Sequence, residues 1–197
     1  VYDLVYKERL LNDVVLNVGG LHNVENSVAA MAVAMWLQID PEKIRKAVAS
    51  FRGVKRRFEY IVKNEEVVMI DDYAHHPEEL RWLIMSVKNL YPDRECVVVF
   101  QPHLFTRTRD LADGFAEVLD LADEVMLLPI YPARELPLEG VRSEMIRDRM
   151  KKAKVQVLDK EGVVSRVKGL GFRDKVLVTA GAGDIDRMLV KLKDAIS

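Results

Sequence analysis

Cysteine is almost missing from this sequence. Cys96 is the single one in 197 residues. That excludes an internal disulfide and any zinc site built on several cysteines, and it fits a reducing compartment. Long apolar runs are missing too. The stretches at 97–100 and 125–129 are far shorter than the roughly 20 residues a spanning helix needs. Val1-Tyr2-Asp3 opens without the basic region and apolar run of a signal peptide, so a cytoplasmic location is expected. The chain also opens without Met, and we expect a piece of something longer. Charge of one sign is lacking: 30 Lys and Arg against 31 Asp and Glu leave a net −1. No bulk field therefore draws nucleic acid or a membrane surface. Glycine and proline, at 10 and 7, are too few for collagen-like or low-complexity classes. What is present is 49% hydrophobic and 31% charged residues, enough to bury a core and stay in solution, which excludes disorder.

The patterning reads as alternating strands and helices. Val14, Leu16 and Val18 are in phase for a strand ending at Gly19-Gly20. A helix is expected over 24–37, and a second opens at Asp40-Pro41-Glu42, with Asp40 as N-cap and Pro41 in the first turn. It should end near Gly53. From Arg57 the pattern changes. Segments 60–62 and 67–70 read as a hairpin, and Pro77 opens a helix. Strands at 96–100, 124–128, 155–157 and 176–179 then alternate with helices at 108–122, 143–151, 160–168 and 184–196. Near-continuous apolar strands, each followed by a helix, imply an α/β fold with a mostly parallel sheet covered on both faces. A boundary near 53–57 divides the chain into 1–53, the tail of a preceding domain, and 54–197.

In such sheets ligands sit beyond the C-terminal strand ends, and the polar clusters fall there. Asp71-Asp72-Tyr73-Ala74-His75-His76-Pro77 holds two carboxylates and two imidazoles, suited to proton transfer; the plainer reading is an acidic helix start. Gln101-Pro102-His103 through Asp110 puts Arg107 and Arg109 at a helix start, where the macrodipole disfavours cations unless an anion compensates; an Arg–Asp surface pair is the plainer reading. Gly181-Ala182-Gly183 makes a glycine turn without the third glycine of a dinucleotide fingerprint. Asn23 and Asn26 share one helix face, so both amides could meet one ligand, although Asn23 is also a good N-cap. Cys96 reads as packing.

Together these clusters resemble the Mur ligase family. The residues that carry the likeness run from Gly20-Leu21-His22-Asn23-Val24-Glu25-Asn26 through Arg56-Arg57-Phe58-Glu59 and 71–77 to 100–110 and 179–185. The likeness covers most of the chain from Leu16 onward. The D-D-Y-x-H-H-P and F-Q-P-H-x-x-T-R-T-R-D pair is most similar to members that add L-alanine to UDP-N-acetylmuramate. A relative that recycles murein tripeptide shares the first block. A non-enzymatic nucleotide-binding or interaction module is the remaining alternative.

The resemblance implies a Rossmann-like C-terminal domain preceded by the end of a central ATPase domain. It implies ATP and magnesium, with most metal ligands outside this chain and none assigned within it. The chemistry would be acyl-phosphate formation on a carboxylate, followed by attack of an amine, in peptidoglycan precursor synthesis. By the same resemblance, His22, Asn23 and Asn26 would lie near adenine. Arg57 would reach the phosphates or ribose, and Asp72 would hold the ribose or orient Arg57. Tyr73, His75 and His103 would line the amino-acid pocket. Arg107 and Arg109 would meet the carboxylate or acyl phosphate. Leu104 stands where many members carry a basic residue. No G-x-x-x-x-G-K-[ST] phosphate loop occurs in the 197 residues, so the chain by itself is expected to be inactive and to need the other domains as partners.

Overall fold

The computed structural model describes residues 1–196, apart from the side chains of Arg9 and His22. The chain forms two compact units, Val1–Val54 and Lys55–Ser197.

The first unit is a hairpin of β1 (Tyr2–Tyr6) and β2 (Arg9–Val14) followed by α1 (Leu21–Trp36) and α2 (Pro41–Ser50). Leu4 faces Leu11 across the antiparallel pair, and both pack with Val14, Met31, Met35 and Ile44. Met31 and Met35 lie one helical turn apart, so α1 presents them on one face. Asp40 accepts from the N–H groups of Glu42 (3.0 Å) and Lys43 (3.1 Å), as its N-cap role requires.

Two local expectations change here. The ladder stops at Val14, short of Gly19-Gly20, and the chain turns earlier, at Lys7 with φ 54°. Beyond Val14 the backbone has no strand partner, and the Asn17 amide donates to the Ala49 carbonyl at 2.7 Å instead. The residue that caps α2 is Phe51, two positions before Gly53.

The second unit holds a six-stranded sheet. Its strands are β3 (Glu59–Lys63), β4 (Val68–Asp72), β5 (Glu95–Phe100), β6 (Glu124–Leu127), β7 (Lys154–Val157) and β8 (Lys175–Ala180). Their order is β3-β4-β8-β5-β6-β7, parallel except for the antiparallel β3 edge. Alternation sends Ile70, Val98, Phe100, Leu127 and Val178 to one face, against α3 (Pro77–Leu90) and α5 (Ala112–Leu119). It sends Met69, Val97, Val99, Met126 and Leu177 to the other, against α7 (Lys160–Lys168) and α8 (Leu189–Ile196). Both faces are dry, which explains the unbroken apolar runs.

The expected helix over 108–122 is two pieces, α4 (Phe105–Asp110) and α5, broken at Leu111 with φ −116°. That over 143–151 shrinks to the single turn α6 (Glu144–Arg147). Ser143 does not cap it; its hydroxyl donates to the Leu128 carbonyl at 2.6 Å. The last helix begins as a 3-10 turn at Asp184–Met188.

Candidate active site

The ends of β4, β8 and β5 are neighbours in the sheet, so the three polar clusters meet on one rim of the second unit. From β4, Asp71 is fully buried. It accepts from the hydroxyl of Thr179, its cross-strand partner on β8, at 2.5 Å. Burial pushes its carboxyl up to about 6, against the lowering effect of Thr179 and Arg56. Asp72 accepts from the N–H groups of Phe58 (2.7 Å) and Ala74 (2.8 Å), which fixes the loop carrying Arg56 and Arg57.

Tyr73, His75, His103 and Tyr131 form a row of rings. Centroids are 5.3 Å apart for Tyr73–His75, 6.1 Å for His75–His103 and 5.7 Å for the stacked His103–Tyr131 pair. His75 Nδ1 lies 2.9 Å from the Tyr73 carbonyl and 3.3 Å from Glu79. His76 and Glu79 build the helix cap, as the plainer reading of this cluster expects: Glu79 accepts from the His76 N–H at 3.1 Å and Pro77 opens α3. Burial, and then the Arg107 and His75 charges, hold the His103 imidazole below its usual range.

Leu104, with φ 71°, turns the chain sharply into α4. Arg107 is half-buried beside His103, and its Nη1 has no hydrogen-bond partner. Arg109 is exposed and pairs with Asp110 at 2.7 Å, the surface pair that charge alone allowed. Because α4 is only six residues long, both arginines also lie in its last turn, so the macrodipole does not by itself disfavour them.

The glycine turn is built for close packing. A Cβ at Gly181 would stand 2.8 Å from the Gln101 carbonyl, and one at Gly183 would stand 2.7 Å from Tyr131. Gln101 donates to Asp184 at 2.9 Å, and Asp184 pairs with Lys160 at 2.6 Å.

In the first unit, Gly20 precedes α1 and no side chain caps it. Asn23 donates instead to the Gly19 carbonyl at 2.6 Å, so the N-cap reading of Asn23 does not hold. Asn26 is exposed on the next turn. The side chain of His22 lies outside the described residues.

Two rim residues escaped the sequence reading. Tyr131 follows β6 and was findable by the strand-end rule. Arg56 is the arginine whose side chain bonds the glycine turn, whereas Arg57 is exposed with its guanidinium 5.8 Å from the Tyr73 ring. Among the described residues no three of His, Cys, Asp and Glu group as a metal site needs, and no helix is long and apolar enough to cross a membrane.

Known proteins resemble this chain in sequence and fold. The UDP-N-acetylmuramate–L-alanine ligase of Flavobacterium johnsoniae is 43% identical over 197 residues, covering 100% of this chain and 43% of the relative. That of Porphyromonas gingivalis is 46% identical over 183 residues, covering 93% and 40%. The chain thus spans about two fifths of these relatives' length. The crystal structure of UDP-N-acetylmuramate–alanine ligase from Thermotoga maritima superposes with a TM-score of 0.74 at 31% identity, covering 91% of this chain and 38% of that one. A folylpolyglutamate synthase of Mycobacterium tuberculosis, complexed with ADP, shares the fold at TM-score 0.68 and 18% identity, covering 94% and 42%. The model of the Mur ligase glutamate ligase domain matches residues 56–183, and the chain belongs to the Mur ligase family.

Proposed function

We propose that this chain is the C-terminal domain, with the end of the central ATP-binding domain, of a cytoplasmic ligase that joins L-alanine to UDP-N-acetylmuramate during peptidoglycan precursor synthesis. Residues 1–53 would belong to the central domain and 54–197 to the C-terminal one. A carboxylate is a poor electrophile. ATP, assisted by magnesium, would supply the phosphoryl group that turns it into an acyl phosphate, and the amine of L-alanine would displace phosphate.

The observation that carries this reading is the set of buried, unpartnered polar atoms on the rim: Gln101 Oε1, His103 Nδ1 and Arg107 Nη1. Such groups are costly unless a ligand completes them. They fit a ligand with both anionic and hydrogen-bonding parts. Arg107 would face the charge that develops on the acyl oxygens, where a preorganised cation in a shielded site acts strongly. An imidazole held below its usual range stays uncharged at neutral pH, so His103 can accept a hydrogen bond from an incoming amine without repelling it. Tyr73 and His75 would wall the amino-acid pocket. Asn23 and Asn26, with His22, would meet adenine. Arg57 would reach the phosphates, on a loop that Asp72 holds through the Phe58 N–H. We place the magnesium ligands mostly outside this chain.

The test is a substrate panel on the full-length ligase: UDP-N-acetylmuramate and ATP with L-alanine or with murein tripeptide. Phosphate release and product with L-alanine are expected. Turnover with tripeptide alone would reassign the protein to recycling, and nucleotide binding without ligation would make it a binding module. The 197-residue chain assayed alone is expected to show no turnover.

A further inference from the structure

Arg56 stands outside the roles assigned above, yet it touches more of the rim than Arg57 does. We infer that Arg56 is a positioning residue, held by Asp71, that fixes Tyr73 and the glycine turn as two walls of the amino-acid pocket. The inference rests on the ligase reading for the identity of that pocket.

The backbone at Arg56 is held in an unusual conformation. Arg56 and Phe58 both adopt left-handed φ, at 56° and 49°. Neither is glycine or asparagine, so the conformation is costly and persists because its surroundings impose it. They do so with three bonds: Arg56 N–H to Glu59 (2.8 Å), Phe58 N–H to Asp72 (2.7 Å) and Tyr73 N–H to the Arg56 carbonyl (2.8 Å). The result aims the Arg56 side chain across the sheet end.

The side chain reaches the glycine turn. It donates to the carbonyls of Gly181 and, at 3.3 Å, Gly183. The same turn is pressed from the other side by Gln101 and Tyr131, which leave no room for a Cβ. The guanidinium also lies 4.9 Å from the Tyr73 ring, close enough for cation–π attraction. Tyr73 in turn sets the edge of His75. One cation therefore touches both segments just beyond the point where the β4–β8 pairing ends, with the Gly181 N–H donating to the Asp72 carbonyl at 3.2 Å.

Asp71 Oδ2 lies 3.4 Å from Arg56 Nε, yet neither atom makes a hydrogen bond. Charge alone joins them. Thr179, Asp72 and Glu59 face the same carboxyl, and Asp186 sits 3.9 Å from the guanidinium. A lysine keeps the charge but cannot fork to two carbonyls and cover a ring at once.

The test is Arg56→Lys in the full-length ligase. The KM for the amino acid is expected to rise at least tenfold, while the KM for ATP stays within twofold. Tyr73→Leu should raise the same KM, and the double variant should fall clearly short of the product of the two single effects, because part of the Arg56 effect runs through Tyr73 and part through the glycine turn. Asp71→Asn, which keeps the shape, should move the amino-acid KM the same way by a smaller factor and serves if Arg56→Lys does not fold. An unchanged amino-acid KM, equal changes in both KM values, or full additivity with Tyr73→Leu would overturn the inference. If the wild-type protein ligates nothing, the ligase reading fails by itself. The positioning is then read in the 197-residue chain: the Tyr73, Gly181 and Gly183 amide resonances should shift together in Arg56→Lys, and unmoved resonances would overturn it.

Discussion

The two rims of the six-stranded sheet are built from similar residues and finished differently. At the N-terminal ends of the strands, carboxylates are satisfied. Asp120 accepts from three successive N–H groups, those of Lys151, Lys152 and Ala153. Asp123 takes the Cys96 N–H and Lys88, Glu124 takes Arg166, and Glu95 takes Lys175. At the C-terminal ends the network is left open. Five of the six buried side-chain atoms without a hydrogen-bond partner among the described residues lie there, on Arg56, Asp71, Gln101, His103 and Arg107. Left-handed backbone at Arg56, Phe58 and Leu104 is concentrated there as well. One rim is closed for stability and the other is held open at a cost, which is where a ligand is expected.

Substitutions can break that contrast. The largest effect is expected from Arg107→Ala on the open rim: under the proposed function, kcat/KM of the full-length protein should fall by about 2.7–4 kcal/mol of transition-state stabilisation, the scale of one lost oxyanion donor, with no loss of thermal stability. Asp120→Ala on the closed rim should do the reverse. It strands three backbone donors and should cost about 2 kcal/mol in denaturant unfolding, with kcat/KM unchanged.

Acid sharpens the contrast further. Burial raises Asp71 to about 6, so its contribution to stability is present below the ordinary carboxylate range and is lost as pH rises to 6. For Asp120 desolvation acts upward but is outweighed by the Lys152, Lys151 and Ala153 N–H groups, which hold it below that range. Its contribution is present at neutral pH and is lost on acidification. Measured against Asp71→Asn and Asp120→Ala across pH 3–8, the wild-type advantage should therefore change in opposite directions. The smallest effect is expected from Lys88→Ala, an exposed pair with Asp123, at no more than about 0.5 kcal/mol of unfolding free energy.

Much of this was legible in the sequence where the signal is burial. Strands β4, β5, β6 and β8 announce themselves as apolar runs because both faces of the sheet are covered, and α7 spans the residues its pattern set out. Local turns without turn residues were not legible. Lys7 adopts left-handed φ with no Gly, Asn or Pro nearby to signal the first hairpin, and nothing in Leu111 announces a break between α4 and α5. The rim clusters were legible because polar residues interrupt apolar strands at their ends. Which arginine of Arg56-Arg57 turns inward was not. That depends on left-handed backbone at Arg56 and Phe58, which is imposed by Glu59, Asp72 and Tyr73 from outside the dipeptide.

The most direct measurement is NMR of the full-length protein, with the imidazole of His103 and the guanidinium of Arg107 selectively labelled. Spectra would be compared with and without UDP-N-acetylmuramate, L-alanine and a non-hydrolysable ATP analogue. Both side-chain resonances should move on binding, while the Lys151, Lys152 and Ala153 amides on the closed rim stay in place. Binding that shifts the closed-rim amides and leaves His103 and Arg107 where they were would contradict the assignment of the open rim as the site.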